Sequence, residues 1–103
     1  MTEMLATSTA ASTASAEVRI VVRYFAGARA AAGTAEEDVR LVRPATVAEV
    51  LAAVRGPHRP ELERVLGGCS FLLDGVAVHD HDTLLPDTDE PVELDVLPPF
   101  AGG

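Results

Sequence analysis

The segment TVAEVLAAVR, residues 46–55, decides the fold of this chain. Thr46 followed three residues later by Glu49 is a capping box, which predicts a helix that begins at this threonine. Apolar side chains at i, i+3, i+4 and i+7 form one stripe along that helix, namely Val47, Val50, Leu51 and Val54. A helix with a single apolar stripe needs a second layer to cover it, and the flanking strand patterns predict a sheet.

Upstream, Glu17–Phe25 (EVRIVVRYF) is β-branched and aromatic, and it predicts a strand. Alternation divides this strand into two faces, one with Val18, Ile20, Val22 and Tyr24 and the other with Arg19, Val21, Arg23 and Phe25. The alanine-rich stretch Ala26–Ala32 predicts a short helix that Gly33 ends. Glu37–Val42 predicts a second strand, antiparallel to the first.

Downstream, Pro60–Leu66 predicts a second short helix. Ser70–Leu73 and Val76–Val78 flank an Asp-Gly turn and predict a hairpin. Pro91–Leu97 alternates and predicts the last strand. This order predicts a two-layer α+β domain over residues 17–97, with one main helix packed on a mixed sheet, which is the β-grasp or ubiquitin-like fold.

Both ends of the chain differ from this domain. Residues 1–16 (MTEMLATSTAASTASA) have no periodic apolar face, so we expect a disordered and dispensable tail. The segment lacks the basic start and apolar run of a secretory signal, and we expect a cytoplasmic protein. Residues 98–103 are expected to form a flexible tail. Pro98 and Pro99 hold its base extended, and Gly102 and Gly103 make its tip thin.

The charge and composition of the chain limit the classes of molecule that it is expected to bind. The chain has 8 basic against 16 acidic residues and a net charge of −8. This balance argues against nucleic acid and anionic membranes and favours a basic protein partner. The sequence has no lysine, so no side-chain amine is present for ubiquitin-type chains of this protein on itself.

Cysteine and histidine offer little chemistry. Cys69 is the single cysteine, which rules out an internal disulfide, and we expect a buried structural thiol. His79 and His81 alternate in an acidic segment, but two histidines in such a loop are more typical of a solvated turn than of a metal site. We expect neither a bound metal nor a bound cofactor.

Two segments carry a family resemblance. VRYFAGARAAAG (residues 22–33) together with LPPFAGG (residues 97–103) resembles the ubiquitin-like sulfur carriers, a family that includes the molybdopterin synthase small subunit and the thiamine sulfur carrier. The first motif resembles the molybdopterin branch most closely. The likeness covers residues 18–103.

The resemblance implies a chemistry at Gly103. A ubiquitin-activating-type adenylyltransferase would use ATP to join the Gly103 carboxylate to AMP, and persulfide sulfur would then replace AMP to leave a thiocarboxylate. The carrier would contribute no acid or base of its own. Its thiocarboxylate would deliver sulfur to the molybdopterin precursor inside the large subunit of molybdopterin synthase.

The remaining candidate residues are partner contacts. Alternation turns Phe25 and Leu97 away from the core, and neighbouring first and last strands would join them in one apolar patch with Phe100. The alternative is that they are edge residues covered by a loop or by the tail. Arg29 lies inside the matching motif and is a candidate for pairing with a partner carboxylate, with a solvated helix arginine as the alternative. The other predicted contacts are the tail residues Pro98, Pro99, Ala101 and Gly102.

Other functions stay open at this point. The same thiocarboxylate would serve a carrier for cysteine or thiamine biosynthesis. A protein modifier would instead form an isopeptide bond between Gly103 and target lysines, and an inert β-grasp binding module would use neither reaction.

Overall fold

A computed structural model describes residues 16–56 and 59–99 of the chain. The predicted order of elements is confirmed, with small shifts at the ends: the second strand begins at Glu36, one residue early, and the second hairpin strand is only two residues long. The elements are β1 (Glu17–Tyr24), α1 (Ala26–Ala32), β2 (Glu36–Val42), α2 (Val47–Arg55), α3 (Pro60–Leu66), β3 (Ser70–Leu73), β4 (Val76–Ala77) and β5 (Val92–Leu97).

The strands form one mixed sheet in the order β2-β1-β5-β3-β4. β1 and β5 pair in parallel, with Ile20 opposite Val92 and Tyr24 opposite Val96. The other neighbouring strands pair antiparallel. The last strand is therefore the central one, and the expected β-grasp fold is confirmed.

The main helix α2 begins at the predicted capping box. The Thr46 hydroxyl accepts a hydrogen bond from the backbone N–H of Glu49 at 3.2 Å, and the Glu49 carboxylate accepts one from the N–H of Thr46 at 2.9 Å. Two of the N–H groups that a helix start leaves without partners are satisfied in this way. The apolar stripe of α2 is buried against the sheet, as predicted.

One face of the sheet carries the core. Alternate residues of β1 and β5 are buried beneath the helices, and the intervening residues face the other side. The buried apolar residues are Val18, Ile20, Val22, Tyr24, Ala28, Ala45, Val47, Val50, Leu51, Val54, Leu62, Leu66, Phe71, Val92, Leu94 and Val96.

The described part of the chain begins at Ala16, whose carbonyl accepts a hydrogen bond of 2.7 Å from the backbone N–H of Arg43. The rest of the segment predicted to be disordered, residues 1–15, lies outside the described residues, as do residues 57–58 and 100–103. Over the ranges 16–56 and 59–99, no helix has the length and apolar character needed to cross a membrane.

Candidate functional site

The tail leaves the domain from the end of the central strand. β5 is held by β1 on one side and by β3 on the other, up to the pairing of Leu97 with Ser70. Pro98 and Pro99 follow directly. The segment that carries the tail is therefore anchored on both sides, which gives the tail a fixed point of departure.

Phe25 lies beside this point. Its backbone N–H donates a hydrogen bond of 3.2 Å to the carbonyl of Val96, so Phe25 is next to Leu97 across the two strands. Phe25 is 38% exposed, whereas Leu97 is half-buried. The predicted proximity of the two residues is confirmed, and Leu97 faces away from the core but is less exposed than Phe25. We call Phe25, Leu97, Pro98 and Pro99 the tail base.

The backbone turns sharply after Phe25. Ala26 has a φ of 50°, a left-handed conformation that is uncommon for a residue with a Cβ. This turn lets the chain pass from β1 directly into α1, and it leaves the Phe25 ring at the surface. Left-handed non-glycine residues persist where surrounding contacts hold them, and they cluster at functional sites.

Arg23 holds the ring of Phe25 from the same face of β1. Its guanidinium lies 5.6 Å from the ring centroid, within cation–π distance. Its Nε donates a hydrogen bond of 2.9 Å to the carboxylate of Asp95 on β5. Asp95 thus orients Arg23, and Arg23 in turn packs against Phe25. Sequence reasoning placed Arg23 on the Phe25 face but did not identify this role, because Asp95 is 72 residues away.

Arg29 lies on the same end of the domain as the tail base. It is exposed on α1, and it lines a shallow depression of about 220 Å³ together with Arg23, Tyr24, Phe25, Ala35 and Glu36. No carboxylate in the described parts of the chain forms an ion pair with Arg29. The arginine is therefore available to an acidic group of a partner.

The proline pair runs past the turn before β3. A Cβ built on Gly68 would lie 4.0 Å from the Pro99 ring, so the ring lies close to this glycine. Phe100, Ala101, Gly102 and Gly103 lie outside the described residues. Of the predicted site residues, the structure therefore brings Phe25, Arg29, Leu97, Pro98 and Pro99 to one end of the domain.

A polar network lies beneath the tail base. The hydroxyl of the buried Tyr24 donates a hydrogen bond of 2.9 Å to the carboxylate of Glu37. The guanidinium of Arg59 donates to both oxygens of the same carboxylate, at 2.8 Å each. Arg59 also donates to the carbonyls of Val54 and Ala32, at the ends of α2 and α1. A cation at the C-terminal end of two helices is favourably placed. The network therefore ties three helices to the start of β2 and the end of β1.

Burial and neighbouring polar groups both shift the pKa values of Glu37 and Tyr24. Burial raises the pKa of Glu37, but hydrogen bonds from Arg59 and Tyr24 together with the charge of Arg59 outweigh it and leave the pKa below the usual value. Burial, reinforced by the Glu37 carboxylate, raises the pKa of Tyr24 above its usual range. Glu37 is therefore ionised and Tyr24 neutral near pH 7.

We expect Arg59→Ala to destabilise the domain by about 2–3 kcal/mol, since it removes four hydrogen bonds and leaves Glu37 without its cation. Denaturant unfolding measures the difference. Arg64→Ala, at an exposed position one turn along α3, is the matched control and is expected to change the free energy of unfolding by less than about 0.5 kcal/mol. Equal effects of the two substitutions would contradict the role given to Arg59.

The lowered pKa of Glu37 predicts a stability that depends on pH. Its contribution is complete above the unfolded pKa of about 4.3 and is lost as pH falls through the lower folded pKa, since the unfolded chain binds the proton first. Glu37→Gln is therefore expected to flatten the loss of stability below about pH 5. Denaturant unfolding at several pH values measures the slope. Glu36→Gln, at an exposed neighbouring position, is the control, and an equally flattened slope there would contradict the assignment.

Cys69 and His81 make structural contacts. Cys69 is half-buried rather than fully buried, its thiol donates to the Val65 carbonyl at 3.2 Å, and burial raises its pKa, which disfavours the reactive thiolate. The ring of His81 packs edge-on against Phe71, with centroids 5.3 Å apart. Within residues 16–56 and 59–99, no three potential metal ligands cluster.

A larger groove is remote from the tail base. It has a volume of about 290 Å³, and Val18, Arg43, Pro44 and Leu84 are among its lining residues. Val18 is at the start of β1 and Phe25 follows its end, so the groove lies at the opposite end of the sheet. It therefore contributes nothing to the site around the tail.

Comparison with known proteins places this geometry in a family. The model of the ThiS family matches residues 22–103. The molybdopterin synthase sulfur carrier subunit of Chlamydomonas reinhardtii is 34% identical over 87 residues, which are 84% of this chain and 100% of that protein.

Solved structures agree with the fold. The crystal structure of SAMP1, a small archaeal modifier protein from Haloferax volcanii, matches with a TM-score of 0.69 and 28% identity, over 82% of this chain and 99% of that one. The complex of subunits 1 and 2 of molybdopterin-converting factor from Helicobacter pylori contains a chain with a TM-score of 0.56 and 23% identity, over 84% of this chain and 100% of that one. At that identity the second likeness concerns the fold alone. The family model covers most of the domain and the whole tail motif, and the chain belongs to the ThiS family.

Proposed function

We propose that this protein is a sulfur carrier, the small subunit of a molybdopterin synthase, and that Gly103 carries the sulfur as a thiocarboxylate. The observation that carries the proposal is the 34% identity to a molybdopterin synthase sulfur carrier subunit along that protein's whole length. The geometry of the tail base supports it, since a firmly anchored strand leads directly into the Gly-Gly tail.

The loading chemistry belongs to partners. A carboxylate is a poor acyl electrophile, so an ATP-dependent adenylyltransferase first joins a Gly103 oxygen to the α-phosphorus, and pyrophosphate leaves. The terminal sulfur of a persulfide then attacks the acyl carbon and AMP leaves. A second thiol cleaves the resulting acyl disulfide, which leaves a thiocarboxylate on Gly103 and a disulfide between the two donor thiols. Near the tail base Arg23 forms an ion pair with Asp95, and the pKa shifts of Tyr24 and Glu37 keep the phenol neutral and the carboxylate ionised. We therefore expect this chain to supply the acyl group alone.

The surface around the tail supports docking on a large subunit. Phe25 offers an exposed ring that Arg23 holds in place, and Leu97 continues the apolar surface to the start of the tail. Arg29 adds a positive charge beside the patch, on a protein whose net charge is −8. A partner with an apolar pocket, a carboxylate opposite Arg29 and a basic surround would match these features.

A second candidate is a protein modifier that forms an isopeptide bond between Gly103 and a target lysine. The likeness to the archaeal modifier SAMP1 at 28% identity favours it. Both candidates share adenylation of Gly103 and differ in the nucleophile that follows, which is sulfur in one and a lysine amine in the other. Because the chain has no lysine, its targets would be other proteins.

The deciding experiment supplies the thiocarboxylated protein to separate acceptors. One reaction contains a molybdopterin synthase large subunit and the pterin precursor, another a cysteine synthase with an activated serine, and a third the thiamine thiazole synthase with its substrates. Formation of the dithiolene product in the first reaction alone supports the proposal. Turnover only in the second or the third reaction would assign the carrier to cysteine or thiamine biosynthesis. Formation of lysine adducts in a cell extract with ATP would favour the protein modifier.

A further inference from the structure

The strand β2 has a free edge. It is the outermost strand of the sheet next to β1, and no described residue outside β1 pairs with it. Its seven residues, Glu36–Val42, run along this edge without a bulge in their register with β1, and every second one is exposed. An unpaired edge of this length can add another strand.

The backbone groups that point outward belong to alternate residues. The backbone N–H of Tyr24 donates to the carbonyl of Ala35, and the N–H of Arg43 donates to the carbonyl of Ala16, so these two pairs occupy hydrogen-bonded positions at the ends of the β1–β2 ladder. In an antiparallel ladder such pairs recur at every second residue. Residues 37, 39 and 41 therefore bond toward β1, and the four residues Glu36, Asp38, Arg40 and Val42 direct their N–H and C=O groups to the open side.

The charges along this edge are unbalanced in the single chain. Arg40 lies directly opposite Arg19 on β1, and like charges at this position are unfavourable. Arg19 pairs instead with Asp38 at 3.0 Å. In residues 16–56 and 59–99, no carboxylate pairs with Arg40.

We propose that β2 pairs antiparallel with β2 of a second copy of this chain, about a two-fold axis at Val39. In this register Asp38 lies opposite Arg40 of the second copy, and Arg40 lies opposite its Asp38. Glu36 and Val42 face each other at both ends, so all four outward residues meet outward residues of the other strand. The inference is independent of the sulfur-carrier function.

Charge selects this register over its neighbours. Moving the axis to Asp38 or to Arg40 keeps outward residues paired but places two aspartates or two arginines face to face. With the axis at Asp38, Arg40 lies opposite Glu36 of the second copy, but two aspartates then face each other. The register about Val39 pairs Arg40 with a carboxylate and places no like charges face to face. The two-fold axis runs perpendicular to the sheet, so the two helical layers lie on the same side and the two tails leave in opposite directions.

Substitutions that reverse the charges of Asp38 and Arg40 test the proposal. Sedimentation equilibrium of the full chain, from micromolar to millimolar concentration, measures the dimer dissociation constant. D38R and R40D each replace two attractive pairs by two repulsive ones, and each is expected to weaken the dimer by at least about tenfold. The double variant D38R/R40D restores opposite charges and is expected to return to within a few-fold of the wild type.

Folding and strand contact are read out separately. R40D places a carboxylate opposite Arg19, so the monomer of this variant is expected to have a melting temperature no lower than that of the wild type. A weaker dimer of R40D would then result from the changed interface and not from loss of folding. Amide exchange in the wild type is expected to slow with concentration at Glu36, Asp38, Arg40 and Val42, and to stay constant at residues 37, 39 and 41. A wild type that stays monomeric at millimolar concentration, or single variants that dimerise as well as the wild type, would overturn the proposal.

Discussion

Removal of Gly103 is expected to abolish sulfur loading. The proposed reaction takes place at the carboxylate of this residue, and removal of Gly103 moves the carboxylate one residue back, onto Gly102, so it no longer reaches the acyl position of the adenylyltransferase. A one-residue extension with alanine is expected to have the same effect, because it moves the carboxylate forward and adds a Cβ to a thin tip. Intact mass after incubation with adenylyltransferase, ATP and a sulfur donor measures the exchange of one oxygen for sulfur.

The control is a truncation at the other end of the chain. Removal of residues 1–15 is expected to leave loading and melting temperature unchanged, since the composition of this segment offers little apolar surface. A chain without Gly103 that is thiolated as well as the full chain would contradict the carrier function. Loss of loading in the truncation of residues 1–15 would instead assign that segment to a partner contact.

Leu97→Asp is expected to weaken binding to the large subunit by about 2–4 kcal/mol, provided that Leu97 lies in a desolvated part of the interface. The residue is half-buried at the tail base and faces away from the core, so a carboxylate there would be buried against the partner without a cation. Isothermal titration with the large subunit measures the loss. Phe25→Ala, which removes the exposed ring beside it, is expected to act in the same direction.

Leu84→Asp is the matched control for Leu97→Asp. Leu84 is 60% exposed, and it lines the groove at the opposite end of the sheet, so the same change of charge is expected to leave binding within about 0.5 kcal/mol. Thermal unfolding of both variants separates a docking effect from a folding effect. If Leu97→Asp unfolds the domain, or if both variants weaken binding equally, the docking surface is wrongly placed.

Most of the fold was predictable because its signals are local. The capping box at Thr46 and the apolar stripe of α2 are readable within ten residues, and the Gly33 cap appears in the structure with a φ of 80°. The alternation of β1 correctly separated its buried face from the face of Arg23 and Phe25. Such signals depend on the period of the backbone, which the order of residues reveals directly.

The candidate site was predictable in part. The family motif and alternation identified Phe25, Arg29 and Leu97, and the structure brings them to one end of the domain. Cys69 is half-buried where a buried thiol was expected, and Leu97 is partly covered, as the alternative for this patch allowed. Burial depends on which neighbouring segments cover a side chain, and alternation along one strand shows only the face to which it points.

The order of residues by itself determined the elements, the core face of each strand and the Gly-Gly tail motif. Tertiary structure alone decided what holds the tail base in place. The pairing of Arg23 with Asp95 requires the parallel register of β1 with β5. The ion pair of Arg59 with Glu37 requires the start of α3 to pack beside the start of β2. These partners are 72 and 22 residues apart, and many alternative pairings of the same charges are compatible with the sequence. Packing of the apolar core selects one arrangement of the strands and helices, and only then do these side chains come within hydrogen-bond distance.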